Sequence, residues 1–259
     1  MTKPTDHLSQ PDAAPALLRL MTIMARLRDP VSGCEWDKVQ SFETIAPYTI
    51  EEAYEVEDAI QRGDLGELKD ELGDLDLQIV FHAQMATEAG HFTLAEVLDG
   101  ISDKMERRHP HIFGDDPTGG HHRWEEIKAA ERAAKADDPS VLGGIALGLP
   151  ALERAAKLQK RAARTGFDWP DIDGPRAKIL EELEEVSSAA TDEHREEEIG
   201  DLLFAVVNLA RFLKINPEEA LRKGNAKFER RFRAIEQAPG FSDMTLEEQE
   251  RLWTEQKAR

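Results

Sequence analysis

Residues 181 to 210 read EELEEVSSAATDEHREEEIGDLLFAVVNLA and set carboxylates where a helix normally sets apolar side chains. Wound at helical pitch, Ile179, Leu183 and Val186 form an apolar stripe, and Glu181 and Glu184 point to the opposite side. Glu182 and Glu185 do neither: at i, i+3 on the shoulder of the stripe, they can reach a common point. The segment from Glu198 to Leu213 is apolar almost all round, which predicts a buried helix, except for one polar track of Glu198, Asp201 and Asn208. Unpaired buried carboxylates are costly, so the track must face a cation, a basic partner or a wet cleft. An ExxE and an ExxD pair on successive helices suit a hard cation such as Mg²⁺, which takes oxygen ligands and completes its shell with substrate phosphates. A solvated Glu-rich helix is the plain alternative for the first segment; the second leaves no face to be solvated.

The elements that position these groups are helices. Ala, Leu, Glu, Lys and Arg dominate long stretches with few β-branched alternations, so the chain reads as all-α. It also repeats itself. PALLR (15–19) returns as PALER (150–154), GCEW (33–36) as GFDW (166–169), EEAYE (51–55) as EELEE (181–185), ELGD (71–74) as EIGD (198–201), KMERR (104–108) as KFERR (227–231), and WEEIK (124–128) as WTEQK (253–257). Six matches in order make two homologous helical domains, 1–134 and 150–259, joined by a Pro- and Gly-containing linker over 135–149, with 1–14 expected as a flexible tail.

What survives in both halves is a chemical set. The acidic positions are Glu52, Glu55, Glu71 and Asp74 in the first half and Glu182, Glu185, Glu198 and Asp201 in the second. Lys104 and Arg108 answer Lys227 and Arg231; Trp124 and Lys128 answer Trp253 and Lys257. Each pair is spaced i, i+4 and shares a helix face. Lys and Arg so placed can clamp phosphate oxygens, and a Trp can close over a flat or charged group. Rival ExxH elements at Glu88–His91 and Glu106–His109 have no counterpart in the second half and read as helix-terminal or loop histidines. The net charge of -19 opposes nucleic acid and anionic membranes, so an anionic ligand must be captured by local basic groups and metal. The single cysteine, Cys34, excludes an internal disulfide and reads as a small buried side chain. With no long apolar run and no leader pattern, the expectation is a cytoplasmic protein without membrane or nucleic-acid partners.

In this order, EExxE, ExxD, KxxxR and WxxxK, the sequence resembles the MazG family of nucleoside triphosphate pyrophosphohydrolases over nearly its whole length. The resemblance implies tandem domains of the all-α NTP pyrophosphatase type, four-helix cores completed by homodimerisation, and conversion of NTP and water to NMP and diphosphate. It implies Mg²⁺, with Mn²⁺ as a substitute, on Glu182, Glu185, Glu198 and Asp201, and nucleotide contacts from Lys227, Arg231, Trp253 and Lys257. An ionised carboxylate of the quartet can serve as base, and Glu181 is the nearest spare outside it. A protein that binds nucleotides as a sensor without turnover carries the same motifs, and a purely structural acidic bundle predicts no bound metal.

The halves differ at three positions beside the acidic set. Asn208 is replaced by Phe81, Ala205 by Gln78, and Lys178 by Tyr48. An Asn on the polar track can hydrogen-bond a sugar or base and a Phe cannot, so Asn208 and Lys178 join the substrate-binding set and the second half is expected to be the main catalytic one.

Overall fold

Stop and start signals set the helices of the first half: over residues 13–114 these are α1 (Ala13–Leu27), α2 (Phe42–Arg62), α3 (Leu65–Glu88), α4 (Leu94–Arg108) and the single turn α5 (Pro110–Phe113). Ser41 and Thr44 form a capping box at the start of α2, and Thr93 and Glu96 do so for α4. Gly63 ends α2 at φ 69°, a left-handed conformation natural to glycine, and Asp64 at once caps α3 by accepting from the Gly66 and Glu67 N–H groups at 3.0 Å. So short a connection lays α3 back along α2. The second half repeats the plan with α6 (Ala151–Ala163), α7 (Asp173–Ser188), α8 (Asp192–Phe212), α9 (Pro217–Ile235) and α10 (Leu246–Lys257). Thr191 caps α8, and the side-chain oxygen of Asn216 caps α9 through the Glu218 and Glu219 N–H groups.

This computed structural model describes residues 13–114, 124, 127, 131, 138 and 140–257, and no strand occurs among them. The chain forms two compact units, Met1–Lys128 and Ala129–Arg259. Of the expected tail, residues 13 and 14 belong to α1 and the rest lies outside the described residues, as do 135–137 and 139 of the expected linker. Residues 141–143 are tied into the second unit, where Arg161 on α6 donates to the carbonyls of Val141 and Gly143.

In the first unit the α2–α3 hairpin carries α1 and α4 against α3, and the core gathers Met24, Ile45, Val80, Phe81, Ala83, Met85 and Leu94. In the second, the α7–α8 hairpin packs α6 on α8, and α9 contacts α6 and α10.

Three expectations need correction. Leu183, in the expected core stripe of α7, is 52% exposed, whereas Glu182 is 3% exposed. The α7 face turned to α8 is the carboxylate shoulder, and part of its apolar stripe faces outward. Likewise α8 is not buried within its unit: only Ala205 and Val207 are, and Ile199, Leu203, Phe204 and Val206 remain exposed. Two antiparallel helices can cover only one side of each other, so an all-round apolar helix keeps an open face in a single chain. Cys34 is exposed too, because it sits in the turn after α1, its N–H held by the Leu27 carbonyl at 2.8 Å.

Candidate metal and nucleotide site

The α7–α8 hairpin brings the second-half carboxylates together. Glu182 and Glu185 on α7 and Glu198 on α8 each offer an oxygen within 4.8 Å of the others. Asp201 stands one turn on from Glu198 along α8, outside that tight group. Lys178, one turn before Glu182, places its ammonium 2.6 Å from Glu182 and 2.7 Å from Glu181. These two carboxylates, Glu181 first, raise the pKa of Lys178 and hold it charged. His194 Nε2 lies 2.8 Å from Glu198 Oε1. Burial first, then hydrogen bonding to Glu182 and the charges of Glu182 and Glu198, push the Glu185 carboxyl above its ordinary value.

One atom tests whether this set suits a cation. Glu182 Oε2 is buried and has no hydrogen-bond partner. Native proteins rarely leave such an acceptor open, and a buried carboxylate grouped with two more makes a hard-cation ligand set. The donor set fits Mg²⁺.

The first unit repeats the geometry. Glu52, Glu55 and Glu71 bring oxygens within 4.8 Å of one another. Burial first, then the Asp74 charge, raises the Glu52 pKa; burial first, then Glu55 and Asp74, raises that of Glu71. Further along α3, at the position matching Asn208, Phe81, 3% exposed, meets the Trp36 ring edge-on at 6.4 Å, and the Arg28 guanidinium lies 5.4 Å over it.

The basic set is placed less tightly. Lys227 and Arg231 share a face of α9, and Trp253 on α10 packs on the neighbouring Phe228 at 5.2 Å between ring centroids. Among the described residues, neither Lys227 nor Arg231 ion-pairs with the three glutamates, and Lys257 lies exposed at the end of α10. In the first unit Lys104 is half-buried, Arg108 stacks over Trp124 at 6.0 Å, and Lys128 lies outside the described residues. The ExxH elements gather no metal-type group among the described residues: Glu88 is held by Arg28 at 2.8 Å, and His109 Nδ1 contacts the Met105 carbonyl.

Asn208 does not face the carboxylates. It lines a cavity of about 450 Å³ in the second unit, walled by Leu142, Leu158, Phe167, Trp169 and Phe204, with Gln159, Asp168 and Arg211. The sequence reading missed this cavity and His194. The i, i+4 spacing of His194 and Glu198 was an available signal; the cavity depends on helix packing, for which a sequence carries no direct sign.

Comparison with known proteins follows the same division. Residues 40–113 and 175–235 match the MazG nucleotide pyrophosphohydrolase domain, one match in each unit. A nucleoside triphosphate pyrophosphohydrolase of Escherichia coli (strain K12) is 52% identical over 253 residues, covering 92% of this chain and 96% of the relative. The nucleoside triphosphate pyrophosphohydrolase/pyrophosphatase MazG of Thermotoga maritima is 47% identical over 229 residues, 88% of this chain and 89% of the relative. A nucleoside triphosphate pyrophosphohydrolase of Mycolicibacterium smegmatis is 33% identical over 193 residues, 72% of this chain and 56% of the relative.

Proposed function

The chain belongs to the MazG nucleotide pyrophosphohydrolase family, and from that premise we propose that its second unit is the main site of a Mg²⁺-dependent hydrolysis of nucleoside triphosphates. The protein is a hydrolase, a nucleoside triphosphate pyrophosphohydrolase. The observation that carries the site assignment is the convergence of Glu182, Glu185 and Glu198, of which Glu182 is buried with one carboxylate oxygen unpartnered.

These three carboxylates, with Asp201 one turn further, would hold the cation. When bound, Mg²⁺, with Mn²⁺ as a substitute, supplies neutralisation of phosphate charge and a polarised water. The chain supplies the rest. Lys178 fixes the Glu182 side chain and stands where a phosphate oxygen can share its ammonium. Glu181, paired with Lys178 and outside the cluster, takes the proton of the attacking water as its oxygen bonds to the α-phosphorus. The α–β bridging bond breaks, and the diphosphate leaves against Lys227 and Arg231, with Trp253 and Lys257 completing the nucleotide contacts. The exposed apolar faces of α7 and α8 support homodimerisation, in which a partner's hairpin completes a four-helix core. The role we assign is limiting unwanted or excess nucleotides.

Diphosphate release from a nucleoside triphosphate mixture, assayed with and without Mg²⁺, tests the reading. Release that requires Mg²⁺ and is lost in Glu182→Ala supports it. Tight nucleotide binding with no diphosphate released makes the protein a sensor, and no metal bound at all leaves a structural acidic bundle.

A further inference from the structure

Two of the three converging carboxylates carry a donor placed one turn before them. On α7, Lys178 reaches Glu182 at 2.6 Å; on α8, His194 Nε2 stands 2.8 Å from Glu198 Oε1. A carboxylate only accepts, so Nε2 carries the hydrogen and donates it. The Glu198 side chain is 13% exposed and that of His194 51%, so the imidazole forms the outer edge of the contact and the carboxylate its inner end. The repeat sharpens the contrast. Aligning ELGD with EIGD sets Glu67 opposite His194, and Tyr48 stands opposite Lys178. Glu67 is engaged by Arg62 at 2.5 Å, and its charge is among those that, behind burial, Glu55 and Asp74, raise the Glu71 carboxyl. The first unit thus sets a repelling group where the second sets a donor.

Helix energetics do not call for an imidazole at this place. His194 lies in the first turn of α8, where the positive end of the helix dipole disfavours a basic side chain. A basic residue before an acidic one at i, i+4 is also the weaker order for a helix pair. What the position does provide is a fixed backbone. The His194 N–H donates to the capping Thr191 Oγ1 at 3.2 Å, and Arg195 donates to Asp192 at 2.7 Å and across the α7–α8 turn to the Ala189 carbonyl at 3.2 Å. An imidazole on so pinned a backbone can hold a carboxylate in place against repulsion from its neighbours. Of the three clustered glutamates, Glu198 is the one that α8 supplies, so its orientation decides whether the hairpin closes on an ion.

We propose that His194 is a positioning residue of the second unit's cation site: by holding Oε1 of Glu198 it leaves the other oxygen to the ion and keeps this ligand of α8 in register with Glu182 and Glu185 on α7. A hydrogen bond to a ligating carboxylate is worth about ten- to a hundredfold in metal affinity, and a contact half open to water belongs at the lower end. The inference rests on the reading of these carboxylates as a cation site and needs no turnover, since it gives His194 no contact with the nucleotide.

Binding of Mn²⁺ alone, without nucleotide and at one pH of about 8, where an imidazole is neutral, tests the role. The electron paramagnetic resonance signal of the free ion is followed in the full-length wild type, Glu182→Ala, His194→Leu and His194→Gln. The binding lost in Glu182→Ala identifies the ion of the second unit, and any ion held elsewhere is a background common to all four. His194→Leu keeps the bulk without the donor and should weaken that binding by about tenfold; His194→Gln keeps a donor within reach of Glu198 and should restore most of it. Rates give an independent reading. The Mg²⁺ concentration for half-maximal diphosphate release should rise about tenfold in His194→Leu, while kcat at saturating Mg²⁺ and KM for the nucleotide stay within about twofold. Wild-type Mn²⁺ affinity in His194→Leu, or an equal loss in the Leu and Gln variants, overturns the positioning role and leaves the cation reading standing. A wild type that shows no Mn²⁺ binding sensitive to Glu182→Ala overturns the cation reading itself.

Discussion

Glu182 is the residue on which the site turns, since it is buried, paired with Lys178 on one oxygen and open on the other. Loss of Glu198 or Asp201 should abolish turnover with little loss of fold. Glu198→Ala is expected to lower diphosphate release by at least about a hundredfold while its circular dichroism melt stays within a few degrees of wild type. Arg231→Lys keeps the charge but loses the planar fork, so kcat should fall about tenfold or more with a smaller change in KM. The Asp168–Arg211 pair gives a test through pH. The Arg211 guanidinium, bonded to Asp168, holds that carboxyl below its ordinary value. A depressed folded-state value means that its stabilisation, about 1 kcal/mol, is present above the unfolded value and is lost as pH falls through the folded one. Urea midpoints of wild type and Asp168→Asn should therefore differ at pH 6 and converge toward pH 3. The carboxylate spacing was legible in the sequence because i, i+3 on a helix is a local relation. Gln159 and Arg211 were not, because their roles arise where α6 meets α8 and the chain returns through Asp168, 43 residues before Arg211.

At the scale of elements, both units wind the same carboxylate-bearing hairpin, yet only α8 presents an amide where α3 presents Phe81. Replacing Glu182 and Glu185 together with Ala should remove most activity, whereas the same change at Glu52 and Glu55 should leave most of it. Equal losses in a diphosphate assay would mean two working sites. Helix existence and the repeat were readable from composition, caps and motif order. Which face each helix buries was not: hydropathy assigned Leu183 inward, but α7 meets α8 by its acidic shoulder. Periodicity identifies an apolar stripe without naming the chain that covers it.

For the whole molecule, a charge of -19 repels a triphosphate at long range, so capture falls to contact-range cations. KM for one nucleotide, measured across a salt series at fixed free Mg²⁺, should stay nearly flat or fall slightly; a steep rise would point to a broad basic surface instead. The division into two units has a further consequence. The first unit has closed its core around Met24 and Phe81, while the second keeps a hollow at the matching place. A hollow forgoes dispersion contacts, so the second unit is the softer of the two. Scanning calorimetry should resolve two unfolding endotherms rather than one. A saturating nucleotide that cannot be hydrolysed should then raise only the lower of them, by mass action on the unit that holds it, leaving the upper as an internal thermometer against which ligand occupancy can be read.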